Sequence, residues 1–310
     1  MRGRILLPAA AVLSLLAACT IQVGGPSGDL PPARSADLRG VTVGAFDFTE
    51  SEILAQLYAQ ALRAHGYPAG VLPNLGPREL VDPALVNGLV ELVPEYSGSA
   101  LQFATVGRET GSPDVRSTQR SLSAALAPLG LVAMQPSPAQ DTNAIVVTRR
   151  TADLYGLRSI SDLAAVAPQL VFGGPPECAE RAFCLKGLRA RYGLRFKTVL
   201  QLDAGGPLTL QALAAGEIDV ALLFSTDPAI VKRDLVVLAD DRGLQPAENV
   251  TPVVAGRTVA KLGSGFVDVV NSVSERLTTQ QLLWMNEMAG FPGQTPEGVA
   301  AGWLRSQGLD

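Results

Sequence analysis

The sequence predicts an α/β fold of two lobes, each built on a mostly parallel sheet with helices around it. Three observations carry this expectation. β-branched segments alternate with segments of helical period along most of the chain. The length, 310 residues, suggests about two bodies of roughly 100–150 residues each. A helix–glycine–strand unit also occurs twice, far apart in sequence.

The elements follow in order. Arg2 and Arg4 precede a short apolar run, Ile5 to Leu16, which ends in Leu16-Ala17-Ala18-Cys19. A run this short reads as a signal peptide, because a spanning helix needs ~20 apolar residues. The L-A-A-C ending resembles the lipobox of bacterial lipoproteins. That implies cleavage before Cys19, acylation of its sulfur, and anchoring to the outer face of the cytoplasmic membrane; a plain secretory signal is the alternative. Residues 19–39 are rich in Gly, Pro and Ser and read as a flexible tether. In an exported setting the remaining pair, Cys178 and Cys184, is expected to form a small disulfide loop, with two free thiols as the alternative.

Val41-Thr42-Val43 reads as a strand. Thr49 with Glu52 forms a capping-box pattern, and Ile53, Leu54, Leu57, Tyr58, Ala61 and Leu62 then recur at helical spacing until Gly66. His65 falls in the last turn, where a donor suits the terminal carbonyls. Strands are expected at Leu89–Val93, Asn143–Thr148, Gln169–Phe172, Ile218–Phe224 and Leu235–Leu238. Ser161-Asp162-Leu163 opens a short helix, Pro207–Ala215 is a helix closed by Gly216, and the tail is helical from about Phe266.

Composition narrows the function. With 25 Lys+Arg against 29 Asp+Glu the net charge is −4, and no Lys/Arg-rich run offers a stripe for nucleic-acid phosphates. One histidine and three cysteines leave too few ligands for a His/Cys metal cluster. No H-E-x-x-H, G-x-S-x-G or P-loop pattern occurs, so neither an enzyme nor a bound cofactor is expected. Asp240-Asp241 reads as a solvated loop. A monomer is expected.

The repeated unit bears on the site. Residues 80–88 lead into V-E-L-V and then Pro94-Glu95-Tyr96-Ser97-Gly98-Ser99; residues 208–216 lead into I-D-V-A-L-L and then Phe224-Ser225-Thr226-Asp227. Each sets an aromatic and small hydroxyls at the carboxyl end of a strand, where α/β sheets bind ligands. Two such edges suit one cleft, although Tyr96 and Phe224 are equally readable as core aromatics.

At these residues the chain resembles the substrate-binding proteins of osmoprotectant ABC importers, which bind glycine betaine, choline, carnitine or proline betaine. The matching segments run from G-A-F-D-F-T-E-S-E-I-L (44–54) through N-L-G-P-R-E-L (74–80), P-E-Y-S-G-S-A-L (94–101), D-T-N-A-I-V-V-T (141–148) and F-G-G-P-P-E-C-A-E-R (172–181) to L-L-F-S-T-D (222–227) and L-A-D-D-R-G-L-Q-P-A-E-N-V-T-P-V-V (238–254). The resemblance implies the two-lobed periplasmic-binding-protein fold with two crossovers, with lobe I at 40–140 plus 251–310 and lobe II at 141–250. It implies closure around a small ligand and docking on a permease served by a separate ATPase chain. Such proteins hold a quaternary ammonium among tyrosines by cation–π attraction. Carried over, Tyr96 and Phe224 match box aromatics, Ser99 a carboxylate-side hydroxyl, Asp141 the cleft acid and Arg181 the family arginine. Asp47 and Thr226 complete the candidate set.

Three positions depart from the pattern. Phe46 stands where betaine binders often carry Lys, Asn143 where a tyrosine is common, and Glu248 in place of the tyrosine of a P-P-Y segment. Phe46 and Phe48 on the first loop are the aromatics left to compensate. Loss of the Lys argues against a carboxylate-bearing ligand, and Glu248 is suited to pair with a cation. Asn143 and Glu248 are equally suited to a neutral hydroxylated or aromatic ligand. A sensor that signals its ligand rather than importing it is a further reading.

Overall fold

The computed structural model describes residues 40–310. The expected signal peptide, Cys19 and tether lie outside the described residues. The chain first builds β1 (Val41–Gly44), α1 (Thr49–Ala64), β2 (Ala69–Leu72), α2 (Arg78–Asn87), β3 (Leu92–Tyr96), α3 (Ser97–Ala104), α4 (Val115–Leu126) and β4 (Leu131–Ala133). It then crosses to build β5 (Asn143–Thr148), α5 (Arg149–Tyr155), β6 (Val171–Gly174), α6 (Leu185–Tyr192), β7 (Thr198–Gln201), α7 (Pro207–Ala215), β8 (Val220–Phe224), α8 (Ala229–Lys232) and β9 (Leu235–Val237). It returns as β10 (Val250–Ala255), followed by α9 (Gly256–Arg276), α10 (Thr279–Ala289) and α11 (Pro296–Gln307).

Two five-stranded sheets result, in the orders β2-β1-β3-β10-β4 and β7-β6-β8-β5-β9. Each contains two parallel pairs and two antiparallel pairs, so the sheets are mixed rather than mostly parallel. The reason is the crossover. β5 and β10 are the first strands after the chain changes lobe, and each enters its sheet where β8 or β3 ends: Asn143 pairs with Phe224, and Val250 with Tyr96. Entry at that end forces an antiparallel pair. The crossover segments themselves lie side by side, joined by the Gln140–Asn249 bridge and by Asp141 N–H donating to Glu248 O at 3.1 Å.

Period-2 alternation puts each sheet between two cores. Leu92 and Tyr96 face the cluster formed by α1, α9 and α11, with Ile53, Leu57, Phe266 and Trp303, while Val93 faces Val81, Leu85 and Leu122. In the other lobe Val220 and Leu222 face Phe172 and Leu188, and Ala221 and Leu223 face Leu213 and Ile218. The predicted stripe of α1, Ile53 to Leu62, is wholly buried. Gly66 takes the left-handed conformation with φ +83°, and Tyr67 N–H and Gly66 N–H bond back to Leu62 O and Arg63 O, which is the expected glycine stop. His65 Nδ1 lies 2.9 Å from Ala61 O.

Several elements differ from expectation. Thr49 does not cap α1: Phe48 holds the cap position without a side-chain bond, and Ser51 Oγ instead accepts from Phe46 N–H at 2.9 Å. The strand expected at 89–93 is β3, three residues later, because Leu89 N–H is still bonded to Ala84 O as α2 winds down at Gly88. The strands expected from Gln169 and Ile218 begin at Val171 and Val220. The short helix near Ser161 is a 3-10 turn, Ile160–Ala165, capped by Ser159 and Asp162. The helical tail starts at Gly256 and is broken at Gly263, whose φ of +77° only glycine takes without strain. Among the described residues no helix is long and apolar enough to cross a membrane.

Cys178 and Cys184 form a disulfide, with Cα atoms 5.2 Å apart. Closing so short a loop stabilises by about 2 kcal/mol in the chain-entropy account. Replacing both by serine is expected to lower the melting midpoint by a few degrees without loss of secondary structure, read by calorimetry and far-UV circular dichroism.

Candidate functional site

Parallel strands of both sheets end at the same gap. β1 delivers Phe46, Asp47 and Phe48; β3 delivers Tyr96 and, one turn on, Ser99; β6 leads to Cys178, Arg181 and Cys184; β8 ends at Phe224. The crossover segments add Asp141 and Glu248, and β5 begins there with Asn143. These residues surround a cavity of about 120 Å³, well below the ~300–1,000 Å³ of drug-sized pockets, so it suits a molecule of few heavy atoms. Nine of the ten candidate residues read from the sequence line it: Phe46, Asp47, Tyr96, Ser99, Asp141, Asn143, Arg181, Phe224 and Glu248. Thr226 does not. It is buried two residues beyond Phe224 and donates to Glu50 Oε2 at 2.5 Å.

The aromatic wall centres on Phe48. Its ring lies 5.8 Å from Phe46 and nearly parallel to it, 6.2 Å from Tyr96, and 5.3 Å from Phe224 of the opposite lobe. Phe48 therefore joins the two aromatics that the repeated unit presents. Tyr96 is only 7% exposed, and its hydroxyl donates to Glu50 Oε1 at 2.6 Å. Its ring is a mostly buried part of the cavity wall.

Phe46 is buried, and the Arg78 guanidinium already lies over its ring at 5.0 Å. Arg78 donates through Nε and Nη2 to both oxygens of Glu95, the shorter contact being 2.7 Å. Burial works against the Arg78 charge, but the adjoining Glu95 carboxylate overrides it and holds its pKa above the usual value. Arg181 reaches from the other lobe to Glu79 at 2.7 Å and stacks 5.7 Å from the Phe103 ring; burial pulls its pKa down. Asn143 Nδ2 donates to Phe183 O at 3.1 Å.

Glu248 is 2% exposed. Its Oε2 accepts from Gly98 N–H and Ser99 N–H, both at 3.0 Å, and its Oε1 accepts from Ser99 Oγ at 2.6 Å. The side chain thus caps α3 with both of its oxygens. Gly98 permits this approach, because a Cβ there would lie 2.3 Å from Pro246 Cγ. Burial pushes the Glu248 carboxyl up to about 7, against the lowering effect of the Ser99 donors and Arg78.

Behind the aromatic wall lies a buried polar knot. Glu50 accepts from Tyr96, Thr226 and Asn286, and Asp141 Oδ1 accepts from Ser225 Oγ and Thr226 N–H at 3.0 Å each. Burial raises both carboxyls, and for Asp141 the neighbouring Glu50 raises it further. An adjoining cavity of about 430 Å³ is bordered by Asp47, Glu50, Glu52, Asp203 and Asp227. Asp203 and Asp227 there are occupied in capping α7 and α8. Among the described residues no group of three His, Cys, Asp or Glu is placed to hold a metal.

Comparison with known proteins decides the family. The model of the substrate-binding domain of ABC-type glycine betaine transport systems matches residues 39–306. The chain belongs to this family. Within this glycine betaine transport family, a glycine-betaine-binding protein of Pseudomonas aeruginosa is 30% identical over 88% of this chain and 90% of its own. The glycine betaine-binding protein YehZ of Escherichia coli is 25% identical over 86% and 90%. A solved glycine betaine/carnitine/choline ABC transporter structure superposes with a TM-score of 0.68 at 26% identity, covering 87% of this chain and 99% of that one. The two-lobed substrate-binding fold and the place of the chain as the solute-capturing component of an ABC importer follow from this membership.

Three residues of the site give little sign of their roles in the sequence. Phe48 was visible only as a loop aromatic. Arg78 carried a faint signal, since a cation in the first turn opposes the helix dipole and needs another reason to be there. Glu50, on the first turn of an apolar-striped helix, is indistinguishable in sequence from a solvated charge.

The raised carboxyls set a pH dependence. Glu248 has a folded pKa near 7 against an ordinary value near 4.5, so it binds its proton more tightly in the folded state. Its contribution to stability is full below about 4.5 and is lost as pH rises through about 7. Glu248→Gln is therefore expected to flatten the decline in melting midpoint between about pH 5 and pH 8, followed by calorimetry across that window.

Proposed function

We propose that this chain captures a small quaternary-ammonium osmolyte of the choline/betaine class between its lobes. The observation that carries the reading is the ring contact across the gap: Phe48 lies 5.3 Å from Phe224 and 6.2 Å from Tyr96. Three aromatic rings on the wall of a cavity of this size suit a compact organic cation, at ~0.5–2 kcal/mol per well-placed ring. The names of the relatives, glycine-betaine-binding proteins and a glycine betaine/carnitine/choline transporter, support the same class.

In this reading lobe I comprises 40–140 plus 251–310 and lobe II 141–250. The ligand binds the closed arrangement better than the open one and so drives closure. The protein acts as a monomer without catalysis, passing its solute to a permease powered by a separate ATPase chain. Export by a signal peptide at 1–18 and acylation of Cys19 tether it to the outer face of the cytoplasmic membrane. Cys19→Ser is expected to move the protein from the membrane fraction to the soluble one.

Titration calorimetry with choline, glycine betaine, carnitine and proline betaine tests the ligand class. At least one should bind, and Phe48→Ala should weaken it by about tenfold or more. Silence from all four, with binding of a neutral ring compound, would overturn the reading.

A further inference from the structure

Three groups of the cavity wall are built to hold an anion. Arg78 and Arg181 carry positive charge, and α3 begins beside the cavity, which Ser99 of its first turn lines, a position that favours a carboxylate. Each of the three is already paired with a carboxylate of the chain itself. Arg78 is held by Glu95, which is 1% exposed; Arg181 is held by Glu79; and the α3 terminus is held by Glu248. The third pairing is the most complete. Glu248 satisfies Gly98 N–H, Ser99 N–H and the Ser99 hydroxyl together, and it enters from the second crossover segment, which is locked on α3 by Ser97 Oγ donating to Ala247 O and Ser97 N–H to Asn249 O.

We propose that Glu248 is a built-in surrogate for a ligand carboxylate, so that the cavity accepts an ammonium alcohol or amine that carries no carboxylate and rejects the corresponding zwitterion. An incoming carboxylate would find the α3 donors taken, and it would meet Glu248 itself, with Asp141 and Glu177 also on the wall. A ligand bearing only positive charge meets the rings of Phe48, Tyr96 and Phe224, and the two arginines of the lining are already paired with Glu95 and Glu79. The role is distinct from cation pairing, since both Glu248 oxygens are directed at α3. The inference rests on the ammonium reading given above and narrows it.

Choline and glycine betaine make the test, because they share the trimethylammonium group and differ in an alcohol against a carboxylate. On the wild-type protein, choline should bind at least about tenfold more tightly, the scale of one charged hydrogen bond. Glu248→Ala vacates the α3 terminus and should narrow or reverse that ratio, chiefly by a gain in betaine affinity. Glu248→Gln keeps the shape, and should narrow the ratio less. Equal or tighter binding of betaine by the wild type overturns the inference while leaving the ammonium reading intact. A ratio unchanged in a folded Glu248→Ala protein also overturns it. Absence of binding by either compound sinks the ammonium reading and the inference together. The wild-type ratio needs no variant, so the inference remains testable if Glu248→Ala fails to fold.

Discussion

The carboxylate of Glu50 is the point on which the architecture of the site depends. A buried carboxylate costs several kcal/mol unless its oxygens are met by donors, and here the donors come from both lobes: Tyr96 and Asn286 on one side, Thr226 on the other. Satisfying Glu50 therefore fixes the Tyr96 ring at the end of β3 and draws the end of β8, with Phe224, to the same place. Phe48, two residues before Glu50, is carried between them. The aromatic wall is thus a consequence of a polar requirement behind it.

A second constraint acts at the crossover. The chain passes between lobes twice, and both passes run along the floor of the gap, joined by the Asp141–Glu248 backbone bond. The two acids that line the cavity from these segments have opposite tasks. Asp141 faces into lobe II, where Ser225 and Thr226 hold it. Glu248 faces into lobe I, where α3 holds it. The segments that join the two sheets therefore also supply side chains to the cavity wall.

Much of this was legible in the sequence. The alternation of elements gave the fold class, and the repeated helix–glycine–strand unit placed Tyr96 and Phe224 at facing strand ends. What local pattern could not give was pairing across long separations. Glu248 and Ser99 are 149 residues apart, and Thr226 and Glu50 are 176 apart; a lone acid in a loop or helix does not announce its partner. The mixed sheets were missed for a related cause, since strand direction at a crossover depends on where the chain re-enters and not on composition. β3 was placed three residues early because the apolar Leu89 and Val90 look strand-like while still completing the stop of α2.

The central claim is that the ligand's cation rests on the rings while Glu248 stays on α3. A crystal structure with choline bound tests it most directly. The account predicts the trimethylammonium group against Phe48 and Phe224, with Glu248 still accepting from Gly98 and Ser99. An ammonium seated away from these rings, or a Glu248 carboxylate swung off α3 to meet it, would contradict the account.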